Sequence, residues 1–262
     1  MLSEYERFRF RFDGIEHDVY RAGQGPAVIV IHEIPGLTPE VLRFAAYVRE
    51  AGFRVYLPHL FGVPEKPVSA TYVATSFLRA CISREFKVLA RNEASPVTNW
   101  LRALAREAHR ECGGPGVGAL GMCLTGNFAL AMMIDPAVQA PVLSQPSLPL
   151  PLTKAHRRAL HLAPQQLEVV KQRVQAGCPV LGLRFTNDFA CPAERFQRLR
   201  EELGDGFESI EIDSSPGNPH GISPRAHSVL TVDLVDREGH PTKAALQRVL
   251  AFFRARLKTP AT

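Results

Sequence analysis

Short apolar runs alternate with amphipathic helical stretches along most of the chain, and this alternation constrains the fold more than any other feature. The run Pro-Ala-Val-Ile-Val-Ile at 26–31 predicts a buried strand. Thr38 and Pro39 then predict a helix start, because threonine caps a helix and proline suits its first position. The same order recurs as far as a final helix at 243–257. Repeated strand–helix units predict an α/β fold with a mostly parallel central sheet and helices on both faces.

Three segments depart from this order. The first twenty residues alternate apolar and polar side chains, which predicts an antiparallel hairpin at the sheet edge. The segments 62–94 and 144–178 fit the pattern poorly and are expected to form rim or lid segments over a site. Because we find no repeat or low-complexity linker, we interpret residues 1–262 as a single domain. Further strands are predicted at 54–57, 117–120, 141–143, 180–185 and 207–212, and further helices from Ser95, at 127–134 and at 192–203.

The amino-acid composition limits which binding partners and which cellular compartment are expected for this chain. The net charge is +5 and the basic residues are scattered, which argues against a nucleic-acid partner. No apolar run approaches the roughly 18 residues of a membrane span, and the polar N-terminal segment lacks the apolar centre of a secretory signal. The five cysteines are an odd number without a Cys-x-x-Cys pair, which argues against a disulfide framework or a zinc ribbon. We therefore expect a cytoplasmic protein.

The segment Gly-Met-Cys-Leu-Thr-Gly at 121–126 lies between a predicted strand and a predicted helix. A nucleophile elbow needs this context: a sharp strand-to-helix turn with small neighbours and a reactive side chain at its apex. Cys123 would then lie at a helix N-terminus, where the dipole favours the thiolate, and the Leu124 N–H would face an oxyanion. The alternative is a buried structural cysteine, since free cysteine is among the most buried residue types. The strand and helix around Cys123 favour the nucleophile.

A dinucleotide-binding fingerprint overlaps this segment, since Gly116, Gly118 and Gly121 have Gly-x-Gly-x-x-Gly spacing. That fingerprint needs a strand before its first glycine, whereas 105–112 is predicted to be helical. The glycines here enter and follow a strand instead. We therefore expect no nucleotide cofactor at this place.

The loop His-Glu-Ile-Pro-Gly at 32–36, directly after the first buried strand, is a second candidate constellation. In a fold with a nucleophile elbow, this loop supplies the other oxyanion donor, here the N–H of Ile34. Glu33 lies at the carboxyl end of a strand, where ligands bind in open α/β sheets; a solvated loop carboxylate is the alternative. His32 is interpreted as a hydrogen-bonded structural histidine.

A carboxylate and a histidine are expected after the nucleophile, in that order. Asp188 follows the predicted strand 180–185, where the acid loop belongs; a turn-forming aspartate is the alternative. Three histidines lie between the last predicted strand and the last helix: His220, His227 and His240. Each of them, taken alone, is more often a surface or capping histidine than a catalytic base.

Four features together resemble the dienelactone hydrolases. They are the Glu-Ile-x-Gly loop at 33–36, the Gly-x-Cys-Leu-x-Gly elbow at 121–126, Asp188, and the His-Ser pair at 227–228. The resemblance runs from about residue 25 to the C-terminus. It implies an α/β-hydrolase fold and a small ester or lactone as substrate.

The resemblance also implies a catalytic triad of Cys123, Asp188 and His227. His227 is preferred over the other two histidines because the family's catalytic histidine is followed by serine and an apolar residue. In the family, the loop glutamate contacts the cysteine and helps to deprotonate it, so the resemblance gives that auxiliary role to Glu33.

The sequence departs from the family's pattern at several positions. Thr125 stands where a small glycine usually follows the elbow. Thr231 stands four residues beyond His227, where the family has an arginine that holds a substrate carboxylate. A second family arginine precedes the elbow, and Arg84 is a loose match to it and so a candidate substrate-binding residue. Because a neutral hydroxyl does not replace a bidentate arginine, we predict a more neutral or bulkier ester or lactone as substrate.

We therefore predict a cysteine-dependent hydrolase of an ester or lactone that works through an acyl-enzyme and needs no metal or organic cofactor. A small-molecule ester or lactone is the expected partner, and the sequence leaves the oligomeric state open. Two alternatives remain: a thioesterase or acyltransferase on the same fold, and a non-catalytic binding protein on a decayed hydrolase scaffold. The binding protein would keep the pocket without forming an adduct on Cys123.

Overall fold

The computed structural model describes residues 1–82, 95–147 and 153–258, without the side chains of 77–82. In these residues, eight strands form one sheet in the order β1-β2-β4-β3-β5-β6-β7-β8. The pairs β1–β2 and β2–β4 are antiparallel, and all other neighbouring strands are parallel. The strands are β1 (Glu6–Phe12), β2 (Ile15–Ala22), β3 (Ala27–Ile31), β4 (Arg54–Pro58), β5 (Val117–Met122), β6 (Val138–Ser144), β7 (Val180–Phe185) and β8 (Phe207–Ile212).

Helices cover both faces of the sheet. They are α1 (Pro39–Glu50), α2 (Ala70–Ile82), α3 (Pro96–Cys112), α4 (Gly126–Met132), α5 (Lys154–Arg158), α6 (Pro164–Gln175), α7 (Ala193–Leu203) and α8 (Pro241–Leu257). The apolar side chains of α1 and α8 pack against one face, and those of α3, α4, α6 and α7 pack against the other. The predicted α/β architecture with a mostly parallel sheet is therefore confirmed.

The central strand β3 shows why an uninterrupted apolar run was needed here. All five of its residues are buried. Val28 and Val30 contact the cluster that contains α1 and α8, whereas Ile29 and Ile31 contact the cluster around Trp100 of α3. Because successive side chains of a strand point to opposite faces, a strand covered on both faces favours apolar residues at every position, as in β3.

Most predicted element boundaries agree with the structure to within a few residues. The N-terminal hairpin forms as β1 and β2, and Thr38 caps α1 by accepting a hydrogen bond from the N–H of Val41. Gly118 and Gly121 lie within β5, as expected for glycines that follow a strand. The expected rim segments contain α2 in 62–94 and α5 and α6 in 144–178, and parts of both, at 83–94 and 148–152, lie outside the described residues. In the part that is described, no helix is long and apolar enough to cross a membrane.

The neighbouring strands β3, β5, β6, β7 and β8 are parallel, so their carboxyl ends lie at one edge of the sheet. Loops leave this edge after each of these strands, and every residue singled out from the sequence as catalytic lies in one of them. The segment after β8, 213–240, contains no helix or strand before α8. Its shape therefore depends on backbone turns and on side-chain hydrogen bonds rather than on regular structure.

Candidate active site

Cys123 lies at a sharp turn between β5 and α4. Its φ angle is +54°, in the left-handed region that non-glycine residues rarely adopt. A short 3-10 turn, Cys123–Thr125, leads directly into α4. A Cβ atom at Gly121 would collide with the carbonyl oxygen of Thr125, and one at Gly126 would press against Pro146. The two glycines therefore permit the tight turn that carries the sulfur above the sheet edge.

Thr125 fits this turn, although glycine was the expected residue. Its side chain is fully buried, and its hydroxyl oxygen accepts the Met122 N–H at 3.0 Å. The same hydroxyl lies 3.0 Å from the carbonyl oxygen of Ile31 and 3.1 Å from that of His32. Thr125 thus links the elbow to the end of β3, where the neighbouring loop begins.

The structure brings Cys123, Asp188 and His227 together. The Nδ1 atom of His227 lies 2.7 Å from Oδ2 of Asp188, and His227 and Cys123 line the same cavity. The other carboxylate oxygen, Oδ1, accepts the Ala190 N–H at 2.9 Å. Asp188 is only 7% exposed, whereas the His227 side chain is 26% exposed and faces the cavity described below. This is the geometry of a nucleophile, a base and an orienting acid.

The charge state of His227 follows from these neighbours. Burial of the ring lowers its pKa, but the attraction of the Cys123 sulfur and the Asp188 carboxylate acts in the opposite direction. Together with the hydrogen bond to Asp188, this attraction holds the pKa of His227 well above its usual value. The arrangement therefore favours the imidazolium form beside the sulfur.

The backbone of the histidine loop (residues 227–234) is held by a side-chain carboxylate that the sequence analysis did not identify. Oδ2 of Asp233 accepts the N–H groups of His227 and Ser228, each at 2.9 Å. The Asp233 N–H in turn donates to the carbonyl oxygen of Ser228 at 3.1 Å. Asp233 thus closes the turn 228–233 and fixes the start of the loop on which the imidazole stands.

The acid loop after β7 is also held by a buried group that was not foreseen. The Arg184 guanidinium donates from Nε to the carbonyl oxygen of Cys191 at 2.9 Å and from Nη2 to that of Thr186 at 2.8 Å. Its charge is balanced by Glu211 of β8, whose Oε2 lies 2.5 Å from Nη1. Arg184 therefore clamps both ends of the loop that carries Asp188.

Glu33 faces a different set of partners from the one expected. Its carboxyl group contacts Gln145, Ser228 and Thr231 and shows no hydrogen bond to Cys123 in the described structure. Burial raises the pKa of Glu33, and the hydrogen bond from Thr231 and the attraction of His227 offset this rise only in part. These surroundings shift the Glu33 carboxyl group towards its neutral form.

The other histidines have structural partners. His32 is fully buried, its Nδ1–H donates to the Glu33 carbonyl oxygen at 3.0 Å, and its Nε2 accepts the Leu60 N–H at 3.1 Å. Burial lowers the pKa of His32 to about 3, so the ring is neutral. His240 caps α8 through the Thr242 N–H, and the ring of His220 packs against it at a centroid distance of 5.7 Å. Neither His220 nor His240 lines the cavity beside Cys123.

A cavity of about 430 Å³ opens above Cys123. Ile34 and Leu124, the residues expected to provide oxyanion N–H groups, both line it. Three valines contribute to its apolar lining, and His227, Ser228 and Asp233 contribute polar groups from one loop. The other lining residues are Glu33, Pro35, Thr38, Val68, Val73, Ser147, Ala190, Arg225, His227, Ser228, Val232 and Asp233.

The candidate substrate-binding positions differ in what the structure says of them. Arg84 lies outside the described residues. Thr231 is fully buried against Glu33, so its hydroxyl does not face the cavity. Arg225 lines the cavity at its exposed rim, and within the described chain its guanidinium has no hydrogen-bond or ion-pair partner. Among the residues with described positions, no group of three or more metal-ligating side chains comes together.

Comparison with known proteins gives the family. Residues 15–257 match the model of the dienelactone hydrolase family. Among solved structures, a putative dienelactone hydrolase from Klebsiella pneumoniae superposes with a TM-score of 0.63 at 19% identity, covering 95% of this chain and 97% of the other. A dienelactone hydrolase from Anabaena variabilis gives 0.60 at 14% identity, over 97% and 100% of the two chains.

A third solved structure is that of a dienelactone hydrolase-like promiscuous phosphotriesterase from metagenomic libraries. It gives a TM-score of 0.62 at 16% identity, over 97% of this chain and 98% of the other. At these identities the structural likenesses show the α/β-hydrolase fold alone. No curated protein sequence matches the chain. The match over nearly the whole sequence shows that this chain belongs to the dienelactone hydrolase family and is a hydrolase acting on esters.

Proposed function

We propose that this chain hydrolyses a small ester or lactone through a covalent acyl-enzyme on Cys123. The observation that carries the proposal is the placement of His227, which binds the Asp188 carboxylate at 2.7 Å and lines the same cavity as Cys123. The sulfur stands at a strained strand-to-helix turn and opens onto the cavity. The base is thus within hydrogen-bond reach of the orienting acid and shares the cavity with the nucleophile.

Acylation starts from the pair in which Nε2 of His227 holds the proton of the Cys123 thiol. The thiolate attacks the ester carbonyl carbon, and the resulting oxyanion accepts hydrogen bonds from the N–H groups of Ile34 and Leu124. The tetrahedral intermediate collapses as its carbon–oxygen bond to the leaving group breaks. The leaving alkoxide takes the proton from His227, and a thioester on Cys123 remains.

Deacylation uses the same groups in reverse. Water gives a proton to Nε2 of His227 and attacks the thioester carbonyl, and the oxyanion again rests on the two N–H groups. Collapse expels the Cys123 thiolate and releases the carboxylic acid product. Asp188 keeps the imidazole in the orientation that both steps need. Activated esters and lactones suit a thiolate better than peptides do, because an amide needs a stronger acid to release its amine.

Mass spectrometry of the intact protein, after exposure to a panel of small esters and lactones, tests this proposal. We expect an acyl adduct that peptide mapping places on Cys123 and that is lost in Cys123→Ala. The buried thiols of Cys178 and Cys191 are the internal controls, since burial raises the pKa of both. Turnover without any adduct on Cys123, or unchanged turnover in Cys123→Ala, would exclude a cysteine nucleophile.

The same assay separates the three histidines. Loss of a general base typically costs about 10²–10⁴-fold in rate, and we expect that loss in His227→Ala. His220→Ala and His240→Ala are matched controls from the same segment, and they should keep near-normal activity. The reverse pattern would move the base to another residue.

We also propose that the protein works in a reducing compartment, the cytoplasm. All four cysteines with described side chains are free: Cys112, Cys123, Cys178 and Cys191. A mechanism that depends on a free thiolate needs such surroundings.

A further inference from the structure

The Glu33 carboxyl group is a buried titratable group that the proposed mechanism leaves without a role. It is 3% exposed and lies at the wall of the Cys123 cavity. Ser228 Oγ donates to Oε2 at 2.7 Å, Gln145 Nε2 donates to the same oxygen at 3.2 Å, and the Thr231 hydroxyl contacts Oε1. Both carboxyl oxygens are thus held by side chains that are far away in sequence.

These partners belong to two different loops. Ser228 directly follows His227, and Thr231 lies in the turn that Asp233 closes. Gln145 follows β6, and its backbone N–H donates to the carbonyl oxygen of Leu183 in β7 at 2.7 Å. One carboxyl group therefore connects the loop that carries Ile34 with the histidine loop and with the end of the sheet.

The charges around Glu33 do not favour its use as a base. The groups that bind its oxygens are two hydroxyls and an amide, and none of them is a cation. The titratable groups that face it are His227 and Asp233 from the histidine loop, and these act on its charge in opposite directions. Arg43 of α1 also reaches the histidine loop, but its guanidinium donates a hydrogen bond to the carbonyl oxygen of Thr231 at 2.7 Å rather than to Glu33. A carboxyl group whose two oxygens are bound by three side chains, and not by the Cys123 sulfur, is suited to hold its neighbours rather than to remove a proton.

We propose that Glu33 is a positioning residue that fixes the oxyanion loop (residues 32–37) against the histidine loop. Its carboxyl group is held in place by Thr231, Ser228 and Gln145. In this role Glu33 sets where the Ile34 N–H lies relative to Cys123 and His227, and the thiol proton passes to His227 alone. The inference rests on the proposed Cys123 mechanism and deepens it, because it assigns a role to a buried carboxyl group in the cavity wall that the mechanism leaves unused.

Two chemical readouts on the same thiol separate positioning from proton removal. Alkylation of Cys123 by iodoacetamide needs a thiolate but no oxyanion hole, whereas ester hydrolysis needs both. In Glu33→Ala we expect kcat on an ester to fall roughly 100-fold, as for a lost oxyanion donor. The alkylation rate should change by no more than about threefold, within the effect of one hydrogen bond. If Glu33 were the base, the two rates would fall together.

The isosteric variant Glu33→Gln sharpens this test. Glutamine keeps an oxygen to accept from Ser228 and an amide to donate to Thr231, but it cannot remove a proton. We expect kcat within about fivefold of the unmodified protein, which corresponds to one ordinary hydrogen bond. A loss in Glu33→Gln as large as that in Glu33→Ala would overturn the positioning role.

Thr231→Val removes one partner of Glu33 from the other side, and Thr98→Val is its matched control. Thr98 is an equally buried threonine in α3, far from the cavity lining. We expect Thr231→Val to lower kcat roughly tenfold, since it leaves a buried carboxyl oxygen unpaired, and Thr98→Val to leave kcat unchanged. Equal effects of the two variants would overturn the proposal, since they would reduce the Thr231 contact to general packing.

Hydrogen exchange makes the test independent of catalysis. If Glu33 joins the two loops, Glu33→Ala and Thr231→Val should both speed backbone exchange in 32–37 and in 227–234, whereas Thr98→Val should change neither segment. Unchanged exchange in 227–234 would overturn the inference even if the protein hydrolyses esters through Cys123. Faster exchange in both segments, in a protein without Cys123-dependent turnover, would instead uphold the connection and reject the proposed function.

Discussion

Two loops at the sheet edge each present a buried carboxyl group to the histidine loop, and they use it in opposite ways. Asp188, after β7, binds the His227 imidazole at 2.7 Å. Glu33, after β3, binds two hydroxyls and an amide and no ionised nitrogen. Both groups are less than one-tenth exposed, so burial alone does not distinguish them. The difference lies in their partners. The His227 imidazole interacts electrostatically with the Asp188 carboxylate, whereas the neutral donors around Glu33 suit a carboxyl group that holds its neighbours by hydrogen bonds.

Replacing each carboxyl group by its amide tests this contrast most directly, and it carries the largest expected effect. In Asp188→Asn the amide cannot hold the imidazole in the required tautomer, so kcat/KM should fall by about 10²–10⁴-fold. The matched Glu33→Gln variant should stay within about fivefold, because an amide preserves most of its contacts. Comparable losses in both variants, measured on one activated ester, would remove the distinction between the two loops.

The sequence was sufficient to place both carboxyl groups at the same edge. Each follows a short apolar run, and parallel strands bring their carboxyl ends together, so Glu33, Cys123 and Asp188 were expected to lie close to one another. The choice of His227 among three histidines was different. It depended on a family resemblance, because no regular structure orders the segment 213–240.

The contacts that give each carboxyl group its task were beyond the sequence. Glu33 and Thr231 are 198 positions apart in the sequence. Arg184 is the one basic residue of the apolar strand β7, and nothing in the sequence marks it as a partner of the acid loop. Thr231 was interpreted as a lost substrate contact, whereas its hydroxyl binds Glu33. Hydrogen bonds between loops depend on how the loops pack, and neither hydrophobic period nor turn propensity contains that information.

The clamp on the acid loop allows a second test of the comparison. Arg184 and Arg200 both pair with Glu211, but only Arg184 also binds the carbonyl oxygens of Thr186 and Cys191. Arg184→Met should displace Asp188 and lower kcat by up to about 100-fold, the typical cost of an angstrom of misplacement. Arg200→Met removes an exposed ion pair and should change kcat by less than about twofold.

A second variant guards against loss of folding. Arg184→Lys keeps a charge for Glu211 but cannot bind both carbonyl oxygens, so its kcat should lie between those of the unmodified protein and Arg184→Met. Thermal unfolding of each variant shows which of them remain folded. If folded Arg184→Lys and Arg184→Met both keep full kcat, the acid loop does not depend on the clamp.

The pH dependence of the free energy of unfolding gives a third test, which compares Glu33 with His227 and has a smaller expected effect. The pKa of Glu33 is raised by burial, and that of His227 is raised by Cys123 and Asp188 against the effect of burial. A group with a raised pKa in the folded protein stabilises it fully below its unfolded pKa, and this contribution is lost as the pH rises through the folded value. The unfolded values are about 4.3 for glutamate and about 6.5 for histidine. The loss should therefore begin at lower pH for Glu33 than for His227.

Chemical denaturation at a series of pH values measures both contributions. We expect the free energy of unfolding to fall with rising pH, by at most about 1.4 kcal/mol per pH unit for each proton. Glu33→Gln should flatten the fall that begins above about pH 4.3, and His227→Gln should flatten the fall that begins above about pH 6.5. An unchanged slope at the lower pH in Glu33→Gln would mean that Glu33 is already ionised there.

The smallest expected effect concerns the cavity walls above the two loops. Ile34 and Pro35 of the loop after β3 contribute apolar groups to the cavity, whereas Arg225 lines it from the segment just before His227. The side chain of Asn187 in the acid loop donates to the carbonyl oxygen of Pro224 at 2.8 Å, so the backbone next to Arg225 is held in place. The guanidinium itself is exposed, and an exposed ion pair contributes only about 0.2–1 kcal/mol.

We therefore expect a neutral or bulky ester or lactone to be the better substrate, with Arg225 adding little for an anionic one. The measurement is kcat/KM for a carboxylated lactone and for its methyl ester, in the unmodified protein and in Arg225→Ala. Because water screens a rim charge, Arg225→Ala should lower kcat/KM for the carboxylated lactone by at most about fivefold and leave the methyl ester unaffected. Thr231 cannot compensate, since its hydroxyl is held by Glu33. A strong preference for the carboxylated lactone that disappears in Arg225→Ala would show that the histidine side of the cavity selects the substrate by charge.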